Sequence, residues 1–295
     1  MKRENSEISI EKRPEAGFSA TVKGFLMILF IGCSFLVFNV GGYNNFIPSN
    51  LTLLTRFVIV CILSLCTFIL YKKDSTQNGF WRLSFSFLIA SIGLLCAWIF
   101  GRWYELIPGL SLTTIEGVAL AKFAEVLPIV IPIIIGIWLV ERDFTMIFLS
   151  GGNLKRSVIL GLVLSPVALI PFFALGGLGL SASMGMIIGW IPWMLVFAFS
   201  NAFMEELMIR GLFLNKYNSL FGQTQSLVLT SVIFAIFHQA ILSYTDIIMF
   251  SAFLGITFVL GLVWGYIMQN SRNIWGAVIA HAVADILLLL TVFGV

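Results

Sequence analysis

Histidine is nearly absent from this chain: His238 and His281 are the only two in 295 residues. Charge is almost as scarce. Asp, Glu, Lys and Arg make up 11% of the chain, against roughly 25% in soluble globular domains. From Ser157 to Met204 none of the four occurs. With 59% hydrophobic residues and a mean hydropathy of +1.03, these shortages exclude a soluble domain. The short alternating apolar segments of a membrane β-barrel are also missing. The composition indicates an all-α, polytopic transmembrane helix bundle in a lipid bilayer. A net charge of +3, spread over short loops, excludes nucleic acid as a partner. No CxxC pair occurs, so Cys33, Cys61, Cys66 and Cys96 read as buried, reduced packing residues. No short apolar region with a small-residue cleavage site opens the chain, so its start does not read as a signal peptide.

Long apolar runs are what the chain does have. A span needs about 20 such residues. Runs of this kind cover 24–41, 54–71, 83–104, 117–140, 157–178, 187–213, 222–241, 246–268 and 274–294. That pattern predicts eight to nine spans. The chain divides into a polar cytoplasmic tail 1–23, N-terminal transmembrane helices 24–154 and a transmembrane core 155–295. Alternation puts Lys72, Lys73, Arg82, Arg142, Lys155, Arg156, Lys216 and Arg272 on the side of the basic N-terminal tail. Only Arg56 and Arg102 fall opposite. Basic loops stay inside, so the N-terminus is expected in the cytoplasm, with the plasma membrane as location in a bacterial host. Lys122 and Glu125, three apart in the fourth run, can pair across one turn. Pro128, Pro132, Pro166, Pro171 and Pro192 fall within runs, where they would kink helices around a cavity.

Ionisable groups inside spans are costly and usually functional. In NAFMEELMIR two acids arrive together, Glu205 and Glu206, followed by Arg210. Glu206 and Arg210 are four apart and share a helix face, which is a sufficient structural reason for Glu206. Glu205 points about 100° away and lacks that partner. Such an acid needs a neutral form or a water-filled cavity, and either suits a general base or acid. His238 ends the run SVIFAIFH, and His281 and Asp285 share one face of the last run. A lone intramembrane histidine can be a packing residue with one interhelical hydrogen bond. Two of them beside a Glu and an Asp point to hydrolysis. Two designs remain open. Glu205, His238, His281 and Asp285 could hold a divalent metal such as zinc that activates water. Alternatively, Glu205 with His238 deprotonates water directly, and His281 with Asp285 supports the oxyanion. The turn between the Glu205 and His238 helices is expected at Phe221–Gly222, which sets both side chains at one level.

The pieces EELMIR (Glu205, Glu206, Arg210), FAIFH (Phe234, His238) and HAVAD (His281, Asp285) resemble the CAAX-processing and bacteriocin-processing membrane proteases, the CPBP or Abi family. The resemblance covers roughly 155–292, making 155–295 a CPBP-like protease core. It implies an intramembrane endopeptidase whose first Glu and first His act on water. The last His and its partner would stabilise the oxyanion, with the second Glu, the Arg and Phe234 in support. Its partner would be a peptide or protein substrate, membrane-associated or prenylated. Asp285 stands where the family pattern often has Asn, and an ionised Asp can only accept a hydrogen bond. A catalytically silent immunity or regulatory protein that binds a peptide or membrane partner is the alternative. A proton-coupled transporter ranks last, since no inverted repeat is visible.

Overall fold

The computed structural model describes residues 17–43, 47–73, 79–174, 177–238 and 247–294. Among them every regular element is helical. The α-helices are α1 (Ala20–Ser34), α2 (Ser49–Lys73), α3 (Phe80–Phe100), α4 (Ile115–Gly136), α5 (Leu154–Leu164), α6 (Leu169–Ala174), α7 (Met184–Glu205), α8 (Leu212–Phe221), α9 (Gln223–His238), α10 (Ile247–Ser271) and α11 (Trp275–Gly294). Eight helical stretches are long and apolar enough to cross a membrane, so the chain is a polytopic helix bundle. The first begins at Ala20, inside the stretch expected to be tail. Residues 1–16 of that tail lie outside the described residues.

Short polar side chains start several helices by accepting from orphan backbone N–H groups. Thr114 accepts from Gly117 at 3.2 Å and Asn153 from Arg156 at 2.9 Å. Proline breaks the run expected at 157–178: α5 stops at Leu164, Ser165–Ala168 tightens around Pro166, and α6 follows. Pro128 and Pro132 stay inside α4, and Pro192 inside α7.

The run expected at 222–241 is described as far as His238. Its helix α9 has 16 residues, about 24 Å at 1.5 Å each, short of the roughly 30 Å hydrocarbon core. By contrast, Met184–Phe221 is one helical stretch of 38 residues, about 57 Å long. The Met184–Phe221 stretch is thus longer than one crossing needs, and residues 239–246, which follow α9, lie outside the described residues. Gly222, with φ 82°, makes the turn between α8 and α9, where the sequence placed it. A left-handed residue there suits glycine, which has no Cβ to clash.

The last helix is set against α5 by backbone contact. Ser157 Oγ donates to Asn273 O and accepts from Gly276 N at 2.8 Å. Asn153 N donates to Ser271 O at 2.8 Å. A Cβ on Gly276 would stand 2.0 Å from Ser157 O, and one on Gly161 would stand 2.4 Å from Gly276 O. The absence of side chains at these two positions lets the helices touch, which fixes where α11 presents His281.

The periphery corrects two expectations. Cys61 and Cys66 are exposed and Cys33 and Cys96 half-buried, because α2 buries little of itself against the bundle. Lys216, read as a loop residue, lies buried in α8 and pairs with Glu141 at 3.0 Å. The Lys122–Glu125 pair is present at 2.7 Å.

Gly276→Ala is expected to lower stability by about 1–3 kcal/mol or more through overpacking. Gly255→Ala, where a Cβ meets nothing within 4 Å, serves as the neutral control. Thermal unfolding of the two purified proteins in one detergent checks this.

Candidate active site

Four elements bring the ionisable residues together. Glu205 ends α7, and Glu206 and Arg210 lie in the wider π-helical turn Glu206–Gly211 that follows. Phe234 and His238 come from α9, and His281 and Asp285 from α11. Single π turns within α-helices often accompany functional sites. Here the two adjacent acids leave the helix in different directions.

Glu206 faces inward and is fully buried, as is Arg210. Arg210 Nη1 donates to Glu206 Oε1 at 2.6 Å, and His281 Nδ1 meets the same oxygen at 2.9 Å. Arg210 also lies over the Phe234 ring, 4.3 Å from its centre. Space for the guanidinium comes from α10: a Cβ on Gly261 would approach Arg210 Nη2 to 3.3 Å. The Glu206–Arg210 pair expected from the spacing is therefore present, and it also holds His281.

Glu205 faces the two histidines. Its Oε2 is 3.6 Å from His238 Nε2 and 3.6 Å from His281 Nε2, and has no hydrogen-bond partner among the described residues. The other ring nitrogens set the tautomers. His238 Nδ1 is 2.9 Å from Phe234 O, and a carbonyl can only accept, so Nδ1 carries the proton. His281 Nδ1 faces a carboxylate already paired with arginine, so it donates as well. Both rings then turn Nε2 toward Glu205.

Asp285 Oδ1 is 3.7 Å from His281 Nε2. Its other oxygen, Oδ2, accepts from Asn201 Nδ2 at 3.0 Å. Asn201 was missed by sequence reasoning, although it lies one turn before Glu205 on the same face. Trp264 was missed too. Its ring stacks on His281 at 3.9 Å and 10°. No signal in the sequence set it apart, because it lies four residues from the end of the run 246–268, where an anchoring indole would also sit.

The family model described as type II CAAX prenyl endopeptidase Rce1-like matches residues 187–287. This segment is similar to that family. No curated protein and no solved structure matches the chain. The Rce1-like segment contains all seven residues of the three sequence pieces. With the eight apolar helices it supports a multi-pass membrane protease.

Imidazole and carboxylate donors are of the kind zinc takes. Among the described residues, however, no three His, Cys, Asp or Glu side chains form a group that could hold a metal ion.

Arg210→Met leaves the buried Glu206 charge uncompensated and is expected to cost about 3–5 kcal/mol. The double variant Glu206→Gln/Arg210→Met removes both charges and should regain part of that loss. Thermal unfolding and yield of folded protein check the comparison.

Proposed function

We propose that this protein is an intramembrane endopeptidase in which Glu205 and His238 activate the water that attacks a peptide bond. The observation that carries this is the convergence on Glu205 Oε2 of two imidazole nitrogens, each 3.6 Å away. That spacing is too long for a direct hydrogen bond and suits one water bonded at about 2.8 Å to the acceptors around it. Glu205 takes a proton from the water as the oxygen bonds to the carbonyl carbon. His238 accepts the second water proton in a hydrogen bond and orients the nucleophile. When the C–N bond breaks, Glu205 returns its proton to the leaving amine. His281 borders the same space. If its Nε2 takes a proton, Glu206 on Nδ1 balances the new charge. The substrate is a peptide or protein presented at the membrane, a prenylated C-terminus being the first to test.

The site also has a direction. His281 lies six residues into α11, about 9 Å from that helix's start. Lys72, Lys73, Arg142, Lys155, Arg156 and Arg272 mark the same end of the bundle, where α2 and α10 finish and α5 and α11 start. We place that end, the N-terminus and the site's nearer opening on the cytoplasmic side. An N-terminal epitope tag should then be removed by added protease in inverted vesicles only. Removal in intact cells would reverse the orientation.

With an internally quenched peptide ending in a farnesylated CAAX sequence, Glu205→Gln and His238→Ala should each abolish cleavage, with thermal unfolding unchanged. Wild-type cleavage should persist in excess chelator. Retained cleavage in either variant refutes the mechanism, and chelator inhibition reversed by zinc refutes its metal-free form. A cellular phenotype that survives Glu205→Gln would instead indicate a binding protein.

A further inference from the structure

Hydrolysis through a tetrahedral intermediate needs a donor aimed at the oxygen that gains charge. Around Glu205 the side chains of the three sequence pieces offer mostly acceptors, and the nearby Lys122 ammonium donates to Glu125 at 2.7 Å. A carboxylate accepts only, and His238 and His281 each turn their Nδ1 to Phe234 O and Glu206. Arg210 donates, but to Glu206 and from beneath the Phe234 ring. Asn201 is different. It lies one turn before Glu205, so the two share a face of α7. It is 6% exposed. Its Nδ2 donates to Asp285 Oδ2 at 3.0 Å, and its buried Oδ1 has no hydrogen-bond partner among the described residues.

We propose that Asn201 is the oxyanion donor of this enzyme and that Asp285 is the positioning residue that holds its amide. This rests on the peptidase reading above. An amide nitrogen has two N–H bonds. One is anchored on Asp285 Oδ2. The other donates to the scissile carbonyl oxygen. As water adds to the carbon, the carbonyl π pair moves onto that oxygen, which gains charge and draws the N–H closer without taking its proton. When the C–N bond breaks, the pair returns to form the new carboxyl group. The orphaned Oδ1 is left to accept a backbone N–H of the same peptide, which seats the scissile bond opposite Glu205. Asp285 therefore need not donate. The carboxamide comes from α7, and the carboxylate on α11 orients it.

The full-length protein and the farnesylated quenched peptide test this. Asn201→Asp keeps the shape and removes the donor. It should lower kcat about 10²–10³-fold with KM within about threefold. Asn201→Ala is run alongside, in case two facing carboxyls unfold the first variant, and should lose as much. The swap Asn201→Asp/Asp285→Asn moves the amide to α11 and should recover kcat to within about tenfold of wild type. A packing role alone would lower thermal stability and leave the kcat of the folded fraction unchanged. Unchanged kcat in either folded single variant, or a swap no more active than Asn201→Asp, overturns the proposal. Both results are read against wild-type cleavage. If wild type does not cleave, the peptidase reading falls and this inference with it.

Discussion

One oxygen atom, Glu206 Oε1, holds Arg210 and His281 at once. All three groups are buried, so each would be costly alone. A buried carboxylate without its arginine is an uncompensated charge, and an imidazole without an acceptor has no fixed tautomer. Together they give His281 one orientation, with Nδ1 on the acid and Nε2 turned to Glu205. Trp264, stacked on that ring, limits its rotation from the α10 side. The catalytic reading of Glu205 depends on this neighbour, because Glu206 leaves Glu205 as the acid that faces the two free ring nitrogens.

The surrounding helices maintain that arrangement through close approach more than through bulk. Gly161 and Gly276 let α5 and α11 meet backbone to backbone, and Gly261 leaves room for Arg210. The N-terminal half contributes differently. α2 presents most of its surface outward, while Glu141 ties the end of the α4 stretch to Lys216 in α8. That pair lies at the α8–α9 hairpin.

Much of this was legible in the sequence because its signals are local. Apolar length sets the spans. An i, i+4 spacing joins Glu206 to Arg210, and the 100° step separates Glu205 from it. The Phe221–Gly222 turn follows from the helical rise. Residues whose environment depends on other helices were misread. Lys216 looked like a loop cation until Glu141 arrived from another helix. The cysteines looked buried, because lipid-facing and core-facing apolar positions have the same composition.

What the sequence determined by itself is the bundle and a short list of ionisable residues that lipid would not tolerate without a reason. Tertiary structure decided which of them meet. His281 lies 75 residues from Glu206, and Asn201 lies 84 from Asp285. No periodicity relates such distant positions. Their pairing follows from the packing of α7 against α11, with α11 held on α5 by the close approach at Gly161 and Gly276, and from desolvated charges that must find one another.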